Sequence, residues 1–189
     1  MDRGHLFRRI FHLCAPLILL YYLVPENFLW LPKFYWVLIV LACIMVLEAL
    51  RLSTGRVFFG LREYEGKQLS AYAWAGIGIT LGFYFFPPEF VACAVFGVGW
   101  VDPLIGEMRR HKKMKYYPYL PLIAYFLITQ GCLFLATDIP LLQIAVLGML
   151  ASASAIAIEK PKLPADDDFL MLIVPMIVLT VFYEYMKYF

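Results

Sequence analysis

The sequence predicts an all-α integral membrane protein, a bundle of about seven transmembrane helices. Three observations predict it. Of the 189 residues, 63% are hydrophobic and 17% aromatic, and mean hydropathy is +0.76; a soluble domain is nearer half apolar. Apolar runs close to the length of about 20 residues that crosses a bilayer as a helix alternate with short polar links. The basic residues are one-sided: 14 of the 16 Lys and Arg fall on alternate links, and only Lys33 and Lys187 fall on the others. By the positive-inside rule the richer side is cytoplasmic. The N-terminus is then inside, the C-terminus outside and the number of crossings odd.

The elements follow in order, and residues 1–189 read as one multispanning domain. The first span is 10–24, short and interrupted by Pro16, behind a basic N-terminus. No small-residue cleavage site follows it at Val24-Pro-Glu-Asn-Phe28, so it reads as a retained span and not a signal peptide. Pro25 and Pro32 bracket a brief link. The second span, 34–51, ends in Glu48-Ala-Leu-Arg51, and the polar connector Arg56 to Lys67 follows. Gly76, Gly78 and Gly82 give the third span, 69–86, a smooth surface for close helix contact. After Pro87-Pro88 the fourth span, 90–106, runs into Val101-Asp-Pro-Leu-Ile-Gly106 and then the most basic stretch of the chain, Arg109 to Lys115. The fifth and sixth spans are 118–136 and 139–158, the latter with the small-residue tract Ala151 to Ala155. A polar loop from Glu159 to Asp168 leads to the seventh, 169–186.

Several familiar chemistries are missing. There is no GxxxxGK[ST] loop, no GxGxxG and no nucleophile elbow. Cys14, Cys43, Cys93 and Cys132 stand singly in apolar runs, which points to free thiols and neither a zinc site nor a disulfide framework. Soluble kinases, dehydrogenases and hydrolases are thereby disfavoured, and no nucleic-acid partner is called for. The oligomeric state is left open.

The acids gather on the same side as the cations: Glu48, Glu63, Glu65, Asp102, Glu107, Glu159 and Asp166 to Asp168. Carboxylates are the hard oxygen ligands that magnesium prefers, and cations neutralise charge on transferring phosphates. Asp102 reads either as a helix cap at the interface or as a metal ligand. Glu48 and Arg51, three apart, share a helix face as an ion pair or as part of a site. Arg9 and His12 share a face in the same way, and His12 reads as a base, a phosphate contact or a hydrogen-bonded interfacial residue. Asp166-Asp167-Asp168 suits a helix N-terminus but offers more carboxylates than a cap needs. Arg109 and Arg110, with the lysines after them, serve topology, anionic lipid or phosphate.

These residues fall into five islands that resemble the CTP-dependent polyprenol kinases, the family of dolichol kinase, phytol kinase and the yeast-type diacylglycerol kinase. Arg8-Arg-Ile-Phe-His12 is similar to the family's Arg-Lys-x-x-His, and Glu48-Ala-Leu-Arg51 to its Glu-x-x-Arg. Arg62 to Ser70 resembles its connector, and Val101-Asp-Pro-Leu-Ile-Gly106 its Gly-Asp-Pro segment. Glu159 with Asp166-Asp167-Asp168 resembles its late glutamate and Asp-Asp-Asn. The islands span nearly the whole chain in the family's order, with Val101 and Asp168 departing from its glycine and asparagine.

The resemblance implies transfer of the γ-phosphate of CTP to the hydroxyl of a membrane isoprenoid alcohol, with Mg2+, at the cytoplasmic face. It points to a prokaryotic or archaeal plasma membrane. It implies metal ligation by Asp102, Asp166, Asp167, Asp168 and Glu159, and catalytic roles for Asp102, Glu48 and Asp167. Nucleotide or phosphate contacts would come from Arg51, Lys67, Gly106, Arg9, His12, Arg109 and Arg110. Competing expectations are a diacylglycerol kinase, a CDP-lipid-forming cytidylyltransferase and, outside enzymes, a small lipid transporter or membrane scaffold. A transporter places polar groups at mid-membrane, where this chain has chiefly Thr129 and Gln130.

Overall fold

The computed structural model describes residues 3–56, 61, 63–159 and 165–188. Seven α-helices run in order: α1 (Arg3–Cys14), α2 (Lys33–Thr54), α3 (Ala71–Phe85), α4 (Pro88–Arg110), α5 (Tyr119–Ala136), α6 (Leu141–Ile158) and α7 (Asp167–Met186). Six segments are long and apolar enough to cross a membrane, the first of them being Leu6–Leu23. The seventh helix, α3, has 15 residues, about 22 Å of rise. The architecture is that of an all-α multi-pass membrane protein.

The first span departs most from the sequence expectation. It starts at Arg3, not near residue 10, and changes character at Ala15, continuing as a 3-10 helix over Ala15–Leu23. Pro16 supplies the reason. It has no N–H for the carbonyl of His12, four residues back, and its ring crowds that carbonyl, so the α-helical pattern stops there. α4 in turn runs past 106 to Arg110, carrying Pro103 inside it. The brief link after the first span contains a two-stranded hairpin, β1 (Asn27–Phe28) and β2 (Leu31–Pro32), that apolar periodicity does not signal. Leu29 and Trp30 turn it with φ of 46° and 69°.

α4 is the central pillar. Val91, Ala94, Val95 and Val98 on one side of it meet Met171, Leu172 and Met176 of α7. Phe90, Cys93, Val101 and Ile105 join a larger core with Tyr125 and Leu133 of α5 and with the small-residue face of α6, Ala151 and Ala155. α7 is also flanked by α6 and α3. The α3–α7 approach is close: a Cβ on Gly78 would sit 3.2 Å from both Leu172 and Phe169. In lipid no hydrophobic gain drives helix association, so contact area of this kind holds the bundle.

The first span and α2 are peripheral. α1 and the 3-10 segment lean on α4, and α2 leans on α3. α1 begins beside the C-terminal end of α4, where Arg9 pairs with Glu107. The C-terminal end of α7 lies beside its N-terminal end, where Met186 and Lys187 border a recess with Glu89. The two termini therefore lie at opposite ends of the bundle.

Candidate functional site

α1 and α4 run antiparallel, and their polar residues meet as a ladder. Outermost, Arg9 pairs with Glu107, which also takes His111 at 2.5 Å. One step inward, His12 Nε2 stands 3.9 Å from Asp102 Oδ2. Deeper still, the backbone of His12 lies against Gly99, where a Cβ would sit 2.8 Å from the His12 carbonyl oxygen. Gly99 is three residues before Asp102, on the same helix face. The carbonyl that Pro16 releases is the one that seats there. Pro16 and Gly99 together bring α1 close enough for His12 to reach Asp102.

α7 supplies the third member. At its N-terminus one oxygen each from Asp166, Asp167 and Asp168 lie within 4.8 Å of one another, and each residue is placed differently. Asp166 is the N-cap, its Oδ1 accepting from the backbone N–H of Asp168 at 3.1 Å. Asp167 opens the helix, half-buried. Asp168 turns inward with 5% exposure and brings Oδ2 to 3.9 Å from the same His12 Nε2. One ligand atom each from His12, Asp102 and Asp168 lie within 4.8 Å of one another.

Two carboxylates this close, one of them buried, repel unless a cation stands near. Arg8 supplies part of that charge, lining the same chamber as Asp168. A divalent ion would supply the rest. Asp102 and Asp168 would hold such an ion, since carboxylates are the hard oxygen donors that magnesium prefers. His12 is the softer donor and is better suited to hydrogen bonding or proton transfer.

The chamber beneath this cluster is small, about 60 Å³, and mostly apolar. Arg8, His12 and Asp168 form its polar corner, and Tyr72, Ala75 and Val98 form apolar walls. It has room for a few waters or one small polar group.

Glu48 and Arg51 occupy a different place from a ligand-facing pair. Arg51 is 1% exposed, and each of its three guanidinium nitrogens donates to protein. Nε and Nη2 donate to Glu48 at 2.8 and 2.6 Å, and Nη1 and Nη2 donate to the carbonyls of Glu65 and Gln68, both at 2.7 Å. Glu48 Oε1 also accepts from the N–H of Ser70 at 2.5 Å, and Glu65 Oε1 from that of Ala71 at 2.9 Å. Ser70 caps α3 through Ala73. The pair thus latches the connector and the start of α3, and so fixes the wall that carries Tyr72.

The remaining sequence candidates lie elsewhere. Glu159, at the end of α6, is ion-paired with Arg109 and accepts from the Tyr117 hydroxyl at 2.7 Å; it clamps the α4–α5 loop and does not join the His12 cluster. Burial raises the Tyr117 phenol above its ordinary range, with Arg109 opposing. Arg9 is taken by Glu107. Gly106 lies inside α4, exposed, with no side chain within 4 Å of where its Cβ would be, so its amide serves the helix and not a loop cradle. Lys67 is exposed at the end of a 3-10 turn, and Arg110 is exposed at the end of α4.

Sequence reasoning passed over Gly99, Tyr72 and Tyr117, and it noted Glu65 and Ser70 only among the clustered acids and in the connector, without the helix-latching role they have. Only the Pro16–Gly99 pairing left a signal, a helix-breaker opposite a glycine one turn from a polar residue. No family model, no curated protein and no solved structure matches the chain.

Proposed function

We propose that the protein is a lipid-alcohol kinase, transferring the γ-phosphate of CTP to the hydroxyl of a membrane isoprenoid alcohol. The observation that carries this reading is the convergence of His12, Asp102 and Asp168 at one end of the bundle, above an apolar chamber. Phosphoryl transfer is mostly positioning and charge stabilisation, and such a cluster offers both to an alcohol arriving from the lipid side. The choice of CTP rests on the resemblance of the five sequence islands. The cytoplasmic location of this end, and a prokaryotic or archaeal plasma membrane, rest on the one-sided Lys and Arg and on the same resemblance.

In this reading Asp102 and Asp168 would hold Mg2+, which would supply charge neutralisation for the triphosphate. His12 takes the proton of the lipid hydroxyl as its oxygen bonds to the γ-phosphorus. The bond from that phosphorus to the bridging oxygen breaks, and CDP leaves. Arg8 offsets the charge of Asp168, and Asp166 holds the α7 terminus in place.

The test uses purified protein in nanodiscs with Mg2+, γ-labelled or α-labelled CTP or ATP, and undecaprenol, dolichol, geranylgeraniol or diacylglycerol. The expected product is a monophosphorylated lipid carrying the γ-label. Absence of transfer from every nucleotide to every alcohol overturns the reading; α-label in the lipid replaces it with a cytidylyltransferase. Asp102→Asn and Asp168→Asn are each expected to cost at least about a hundredfold in turnover. Mg2+ is expected to raise the unfolding temperature of the parent protein but not of Asp168→Asn.

A further inference from the structure

The first span and α2 stand apart, each resting on a different neighbour. Between them runs a second cavity of about 420 Å³, almost wholly apolar. One stripe of α3 forms its floor: Tyr72, Ala75, Gly76, Ile79, Thr80 and Phe83. The stripe runs over 12 residues of helix, from Tyr72 to Phe83, about 17 Å along its axis. Lys33 closes the far end, bonded to the Val24 carbonyl at 3.3 Å and paired with Glu26 at 3.5 Å.

This cleft adjoins the chamber beneath His12. Phe11, Tyr72, Ala75 and Ile79 line both. Phe11 lies edge-on to Tyr72 with ring centroids 4.9 Å apart, so the two rings form the neck. The Tyr72 hydroxyl is buried in that neck and has no hydrogen-bond partner among the described residues. A buried hydroxyl left in that state costs about 1–3 kcal/mol, and an arriving alcohol is a group that satisfies it.

We infer that the cleft between the first span and α2 holds the tail of the acceptor. The inference rests on the lipid-alcohol reading above and adds a place and a direction. One long hydrocarbon chain lies along α3 with its far end near Lys33, and its hydroxyl passes the Phe11–Tyr72 neck to reach His12. Tyr72 is a positioning residue: its hydroxyl bonds the alcohol oxygen and does not itself exchange the phosphoryl group. The commitment to such a chain comes from the four residues the cleft shares with the chamber that holds the polar corner, and from the buried Tyr72 hydroxyl between the two.

Two experiments test this. In the first, a long-chain alcohol with a diazirine at the end remote from its hydroxyl is photolysed with the full protein in nanodiscs, and adducts are mapped by mass spectrometry. Labelling is expected at Val37 and Val40, which line the cleft, and is expected to be competed away by unlabelled long-chain alcohol. Uncompeted labelling spread over outward residues such as Leu127 and Phe134 overturns the inference. Competed labelling in the cleft without phosphoryl transfer retains the cleft and removes the kinase; transfer with no cleft labelling does the reverse.

The second experiment compares KM with kcat. Val40→Trp, which fills the middle of the cleft, is expected to raise KM about tenfold for a twenty-carbon alcohol and to leave a five-carbon alcohol unchanged. Tyr72→Phe is expected to raise KM for both, by about tenfold, with kcat within about twofold. Equal effects of Val40→Trp on both chain lengths, or no effect of either variant, overturn it.

Discussion

Gly99 gives the carbonyl of His12 a seat that no side chain would leave open: a Cβ there would stand 2.8 Å from the backbone oxygen. Backbone cannot step aside as a flexible side chain can, so α1 itself must move. Gly99→Ala is expected to cost about 1–3 kcal/mol of stability. It is also expected to slow phosphoryl transfer at least about tenfold, because His12 is carried away from Asp102. Gly106→Ala is the contrast. No atom would meet its Cβ, so it is expected to gain about 0.5–1 kcal/mol and keep its turnover. Loss of transfer in the second variant with the first unaffected would reverse these assignments.

The Arg51 latch makes a different demand. Arg51→Ala strands the carboxylate of Glu48 in a site that exposes only 7% of its side chain, and removing one partner of a buried pair costs about 3–5 kcal/mol. Glu48→Gln with Arg51→Met is expected to recover part of that loss. Thermal unfolding in detergent measures both. A nucleotide KM that moves more than the melting temperature would make Arg51 a ligand contact.

Tyr117 carries an alkaline signature. Its phenol is raised above the ordinary value of 10.0, so the folded state favours the protonated form. The sign is then fixed: the stabilisation is complete below pH 10.0 and is lost as pH rises through the higher folded-state value. Deprotonation also places a phenolate beside the Glu159 carboxylate. Tyr117→Phe is expected to lose about 1–3 kcal/mol at neutral pH and to decline less steeply than the parent above pH 10. Parallel stability curves would rule the pairing out.

The β1–β2 hairpin stores backbone strain. Leu29 and Trp30 both adopt positive φ, a conformation that suits Asn-Gly and costs other residues about 1–3 kcal/mol each. Replacing the two by Asn and Gly is expected to raise the unfolding temperature in detergent micelles. A drop there would mean that the exposed Trp30 ring, 96% accessible, makes a contact worth more than the strain.

The seven helices were legible because apolar run length and bilayer thickness share one scale. His12, Asp102 and Asp168 stood out as polar residues at the ends of such runs. What sequence spacing does not reveal is which neighbour a face meets. Arg9 and His12 share a face, yet one meets Glu107 and the other Asp102, because α1 and α4 run antiparallel and the ladder steps outward along both. Glu159 and Asp168 are close in sequence, but the loop between them separates a clamp on α4 from the inward turn of α7. Arg51 reads equally as half of an ion pair and as part of a site until its carbonyl partners, 14 and 17 residues away, are placed. Tyr72 carries no motif at all, and only its place on the lining of two cavities marks it.

The switch at Pro16 also acts as a spacer. Nine residues, Ala15–Leu23, form the 3-10 stretch, and at about 2.0 Å per residue they cover about 18 Å where an α-helix would cover about 14 Å. The narrower, longer winding lets a modest apolar run reach the opposite membrane surface without drawing His12 down from the level of Asp102. It also thins the first span where Ile18 and Tyr21 border the cleft, so the same proline that frees a carbonyl for Gly99 shapes that wall.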